Sequence, residues 1–150
     1  MNLFGALDIS GSALAAERER AEVVASNLAN ADSTRGPGGG PYRRHSVIFA
    51  STPVGGGFAA AWGGGLSATA GNAQAEGVRV AAVVTDTAPA REVYEPGNPL
   101  ANAQGYVAYP DINPVEEMAD LMGAARSYQF DLSAVQASKN MITESLQILA

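Results

Sequence analysis

The chain has no cysteine in its 150 residues, so disulfide staples, thiolate nucleophiles and cysteine metal sites are excluded outright. The redox compartment is left open by the same absence. Histidine occurs once, at His45, which is too few for a histidine-based zinc site. Aromatic residues are 7% of the chain, and its 47% apolar content is padded by alanine, so heavy core formers are thin for one large core. No run approaches the roughly 18 uninterrupted apolar residues that span a bilayer, and a membrane-spanning helix is not expected. The start, "MNLFGALDIS", has no basic residue before its apolar positions and is interrupted by Asp8. It therefore lacks the form of a cleaved secretory signal. Nor is there a basic excess. Fifteen acids against nine bases give a net charge of −6, which argues against a nucleic-acid groove or an anionic membrane surface.

What is present lies at the two ends. Alternating steps of four and three from the N-terminus give Leu3, Leu7, Ser10, Leu14, Glu17, Ala21, Val24 and Leu28, six of eight apolar. That is the seam of an amphipathic, coiled-coil-like helix, and its Ala-Leu-Glu-Arg content supports it. At ~1.5 Å per residue the helix would run about 40 Å. Near the C-terminus the same spacing gives Met118, Leu121, Ala125, Tyr128, Leu132, Val135, Lys139, Ile142, Leu146 and Leu149, nine of ten apolar. Lys139 is the exception, and snorkelling or register setting would account for it. Asn113 is a good N-cap, Pro114 suits the first helical position, and Glu116 stands where a capping box wants it. Glu116, Glu117 and Asp120 complement the positive end of the helix dipole.

The middle is different. "YRRHSVIF" (42–49), "GVRVAAVVTDT" (77–87) and "REVYEP" (91–96) read as short strands, with a further strand at Tyr106–Tyr109 in the turn-rich stretch that follows. Residues 51–76 are rich in Gly, Ala and Ser without a period, and are expected to be a flexible insertion that Phe58 and Trp62 could pin to a neighbour. The fold class expected is α+β. The terminal helices pair as an antiparallel coiled-coil-like domain (1–34 and 112–150), and a small β-rich, Gly-rich middle region fills 35–111.

Chemistry finds little foothold. "RGPGGGP" lacks the Lys-Ser/Thr of a phosphate-binding loop and never completes G-x-G-x-x-G. It also follows a helix and precedes a strand, the reverse of the order those motifs need, so it reads as a connector. His45 sits in a strand among Arg43, Arg44 and Ser46, and reads as a solvated strand residue. A hydrolase using His45 with Asp86 or Asp111 is the enzyme alternative. The acids opening the second helix read as capping, not as metal ligands. Arg18 and Arg20 among Glu17, Glu19 and Glu22 form a mixed-sign helix face. No catalytic, metal or cofactor-binding residue is assigned, and neither a small-molecule substrate nor a nucleic-acid partner is expected. Two helices whose seams are only half used by each other ask for further copies or relatives to pack against. The binding alternative is a soluble helical-hairpin adaptor that takes a partner helix.

The stretch from Ala6 to Phe49, marked by "SNLAN" (Ser26, Asn27, Leu28, Ala29, Asn30), resembles the N-terminal segment of the bacterial flagellar rod and hook family. "YEPGNPLA" (Tyr94, Glu95, Pro96, Gly97, Asn98, Pro99, Leu100, Ala101), the following "GYV" and the C-terminal helix resemble it too. The likeness covers nearly the whole chain outside 51–76, and the short chain points to the rod members rather than the longer ones.

This resemblance implies a structural subunit of the proximal rod, the drive shaft of the basal body. It implies export without a cleaved signal through the flagellar export apparatus, and partnership with its own copies and other rod proteins. It implies that the terminal helices line an axial channel, with Leu3, Leu7, Leu14, Val24, Leu28, Met118, Leu121, Tyr128, Leu132, Val135, Ile142, Leu146 and Leu149 at the interfaces. By position, "SNLANADS" would cap the first helix: Asn30 can tolerate the left-handed conformation at a helix end, and Ser26 and Asn27 can satisfy nearby backbone groups. Tyr94 to Ala101 would be a rigid turn packed on the helices, its φ angles fixed at Pro96 and Pro99.

Overall fold

A computed structural model describes residues 3–36, 38–53 and 76–148. Among these residues, helix α1 (Leu3–Ala29) and helix α2 (Pro114–Ile148) flank in sequence four strands: β1 (His45–Pro53), β2 (Glu76–Thr85), β3 (Arg91–Tyr94) and β4 (Tyr106–Tyr109). The strands form two two-stranded sheets, β1 with β2 and β3 with β4, which gives the expected α+β layout. All four strands overlap the segments expected from sequence, but β1 starts three residues later than "YRRHSVIF" and runs to Pro53 and β2 starts at Glu76, so both ends of the expected insertion are strand. Most of the expected insertion, including Phe58 and Trp62, lies outside the described residues.

The chain divides into two compact units, one of Met1–Arg18, Phe49–Ala81 and Arg126–Ala150, the other of Glu19–Ile48 and Ala82–Ala125. In the first, the Ser12 hydroxyl donates back to the Ile9 carbonyl (2.7 Å) and accepts the Val78 amide (3.1 Å), tying α1 to the start of β2. Among the described residues its buried positions are small: Ala16 on α1, Gly77 on β2 and Ser138 on α2.

The second unit contains both motif stretches. Its core is Val24, Ala31, Val107, Ile112 and Ala124, with Pro110 also buried. The Asp86 amide donates to the Arg44 carbonyl at 2.7 Å, joining the residue before β1 to the one after β2 in the antiparallel sense. Strands β3 and β4 are antiparallel, with Val93 opposite Val107 and Tyr94 opposite Tyr106. "RGPGGGP" is a tight connector. Gly36 donates to the Gly40 carbonyl (2.6 Å), Gly39 sits at φ +80°, and the Tyr42 amide returns to the Ser33 carbonyl.

Helix α1 ends without a left-handed residue. No non-glycine residue has positive φ among the described residues, so Asn30 is not left-handed. The last turn tightens instead. The Asn30 amide is shared between the Ser26 and Asn27 carbonyls, and its side-chain amide donates to the Ser26 carbonyl at 2.9 Å. Free carbonyls are thus met by a side chain and short-range bonds, without a strained φ. At the start of α2, Asn113 Oδ1 accepts the Val115 amide (3.1 Å) as an N-cap should, while Glu116 stays exposed.

Candidate functional site: a polar junction and an exposed helix face

Three elements of the second unit meet at one side chain. Asn27, on the last turns of α1, is 1% exposed. Its Nδ2 donates to the His45 carbonyl (2.8 Å), and its Oδ1 accepts the His45 amide (2.9 Å). An asparagine amide carries a donor and an acceptor side by side, so it pairs with the first residue of β1 as a neighbouring strand would. The Tyr42 hydroxyl donates to the same Oδ1 at 3.2 Å. The second Nδ2 proton goes to Glu117 Oε2 on α2, at 3.1 Å.

Glu117 is itself 1% exposed. Its other oxygen accepts Arg44 Nε at 2.6 Å, and Arg44 directly precedes His45. The ring Asn27–His45–Arg44–Glu117 therefore closes through α1, β1 and α2. A buried carboxylate is tolerable only with such compensation. The hydrogen bond to Glu117 holds the Arg44 guanidinium above its ordinary value, against a smaller lowering by burial. Asp120 lies 3.6 Å from Arg44 Nη2 and 3.8 Å from Arg20 Nη2, with its side chain 44% exposed. At that exposure it adds under about 1 kcal/mol. Arg20 with Asp120, and Asn27 with Glu117, set rising numbers on α1 against falling numbers on α2. The helices are antiparallel here.

His45 is less solvated than its sequence suggests. It is half-buried, with Nδ1 2.9 Å from the Tyr42 hydroxyl and its ring centroid 5.3 Å from that of Tyr42. Asp86 Oδ1 accepts the Ala88 amide at 2.9 Å, a turn role.

Of the expected seam, Val24 is buried and Leu7, Leu14, Leu28, Leu121, Val135 and Ile142 are half-buried. Met118 is 51% exposed and Leu132 42%, and Tyr128 and Leu146 are exposed as well. The side chain of Leu3 and the whole of Leu149 lie outside what is described. On α2 the buried positions are instead Glu117, Ala124 and Ser138, with Asp131 half-buried. Glu117 was expected to complement the helix dipole as part of the first-turn acids. It is buried because Asn27 and Arg44 supply the partners it needs. The signal available in sequence was its seven-residue spacing to Ala124, Asp131 and Ser138, one step before the apolar set. The outward side of α2 in this unit carries Val115, Met118 and Met122, all exposed.

The Tyr94–Ala101 turn is exposed along most of its length. It is braced within its own hairpin. Asn98 Nδ2 donates to Glu95 Oε2 (2.9 Å), and Asn102 Oδ1 accepts the amides of Gln104 and Tyr106. The Tyr109 hydroxyl donates to the Glu95 carboxylate at 3.2 Å. Desolvation first, then that bond, pushes the Tyr109 phenol up from its ordinary value. Gly105, at φ +83°, lies so close to the Tyr94 ring that a Cβ would sit 2.9 Å from it.

Residues 7–37 match the family model described as "Flagella basal body rod protein", and 103–148 match "Flagellar basal body rod FlgEFG protein C-terminal". The chain is 44% identical over 148 residues to the flagellar basal-body rod protein FlgC of Salmonella typhimurium, covering 99% of this chain and 98% of that one. It is 40% identical to FlgC of Bacillus subtilis and 36% to FlgC of Borreliella burgdorferi, with 99% of each chain covered in both comparisons.

Proposed function

Because this chain belongs to the FlgC family of flagellar basal-body rod proteins, we propose that it polymerises through its terminal helices into the proximal rod. It is a structural subunit of the flagellar basal-body rod. In the proposed assembly, residues 1–34 and 112–150 form the inner layer that lines the export channel, and 35–111 lie outside it. Neighbours are copies of itself and other rod proteins. The chain travels unprocessed through the flagellar export apparatus to the periplasm. No helix among the described residues is long and apolar enough to cross a membrane.

The observation that carries the reading is the uncovered apolar face of α2. Val115, Met118, Met122, Leu132 and Leu146 are exposed in the single chain. A helix apolar on its outward side is suited to a sandwiched position in an assembly. Many such contacts in parallel would supply the stiffness that torque transmission demands. A helical-hairpin adaptor would account for the seams but not for family likeness along the whole chain. Mass spectrometry of purified hook–basal-body complexes tests the proposal. The chain is expected there in stoichiometric amount, and its absence from intact complexes would overturn the rod reading.

A further inference from the structure

Helix α2 carries two possible seams that share Leu121, Tyr128, Val135 and Ile142. One completes itself with Glu117, Ala124, Asp131 and Ser138, the other with Met118, Ala125, Leu132 and Lys139. The second is the more apolar, and burial alone would choose it. The chain buries the first: Glu117 and Ala124 are each 1% exposed, while Met118 is 51%. At 100° per residue, with half the positions shifted by one, the two choices differ by a roll of about 50°.

We infer that the Asn27–Glu117–Arg44 junction is a latch that holds this unit's part of α2 in the less apolar rotation, keeping Met118 and Met122 outward for neighbouring subunits. Rolling α2 to bury Met118 would pull Glu117 away from Asn27 Nδ2 and Arg44 Nε. Asn27, buried between α1 and β1, would then lose an acceptor it cannot replace. The side-chain pairing of Asn27 with the His45 backbone fixes the latch to β1, so it cannot follow the helix. Buried polar groups that fix register at the expense of apolar burial act in this way. The use of the outward face rests on the rod reading; the roll itself does not.

The absence of native cysteine makes the test clean. Full-length protein carrying Met118→Cys or Ala124→Cys is labelled with a thiol reagent, with and without Glu117→Ala. With the latch intact, position 118 reacts fast and position 124 slowly. With Glu117→Ala, labelling at 118 should slow and labelling at 124 should quicken, each by about tenfold or more as buried and exposed sites exchange. Glu117→Gln, which can keep the Asn27 contact but loses the Arg44 ion pair, should move both rates the same way by less. Unchanged rates, both rates rising together, or loss of the helical circular dichroism signal in either variant would overturn the latch. Labelling is read on the free chain, so its failure is distinct from absence of the protein from basal bodies.

Discussion

Replacing Asn27 by alanine removes four hydrogen bonds from a side chain that is 1% exposed. At about 0.5–1.5 kcal/mol net for each bond, the loss lies between roughly 2 and 6 kcal/mol. Tyr42 retains His45 Nδ1 as an alternative partner, at 2.9 Å. That places the expected loss in the lower half of the range, at about 3 kcal/mol. With a urea slope of roughly 2 kcal/mol per molar, the unfolding midpoint should fall by about 1.5 M. Asn30→Ala is the internal control. Its bonds to the Ser26 carbonyl and the Ser33 hydroxyl lie in a more exposed turn, so it should cost under about 1 kcal/mol. Asn27→Asp is nearly isosteric, yet it should be worse than alanine. A carboxylate there would face the Glu117 oxygen now 3.1 Å away, and the His45 carbonyl would lose its donor. Equal costs for Asn27→Ala and Asn30→Ala in urea melts followed by circular dichroism would refute the reasoning. So would a wild-type midpoint for Asn27→Asp.

Gly105→Ala combines φ +83° with a 2.9 Å approach to the Tyr94 ring. It should lose about 1–3 kcal/mol and alter the near-ultraviolet tyrosine signal, whereas Gly97→Ala, with open space around it, should not. Leu132→Glu alters a side chain already 42% exposed, so monomer stability should shift by no more than about 0.5 kcal/mol. Cells carrying it should nonetheless be non-motile, and normal swimming would count against the outward face as an assembly surface. The raised phenol of Tyr109 favours the folded state fully below the unfolded tyrosine value near pH 10, and that contribution is lost as pH rises through the folded value. Tyr109→Phe should flatten this alkaline loss in urea melts at pH 8 to 11, and an unchanged pH profile would reject it.

Sequence by itself determined the elements. Heptad spacing marks both helices, Asn113 and Pro114 mark where α2 begins, and glycine, proline and asparagine bound the strands. These signals are local, which is why α1, α2 and all four strands were legible. Family membership was legible too, through "SNLAN" and "YEPGNPLA". Only the tertiary structure decided which stripe of α2 is buried. An apolar face wider than 100° cannot distinguish Met118 from Glu117 by period, because adjacent residues stand 100° apart on the helix. The choice depends on Asn27, ninety positions away in the chain, and on Arg44 beside the strand it grips. A buried charge is stable only where its partners arrive in three dimensions, and their arrival overrides the hydrophobic pattern.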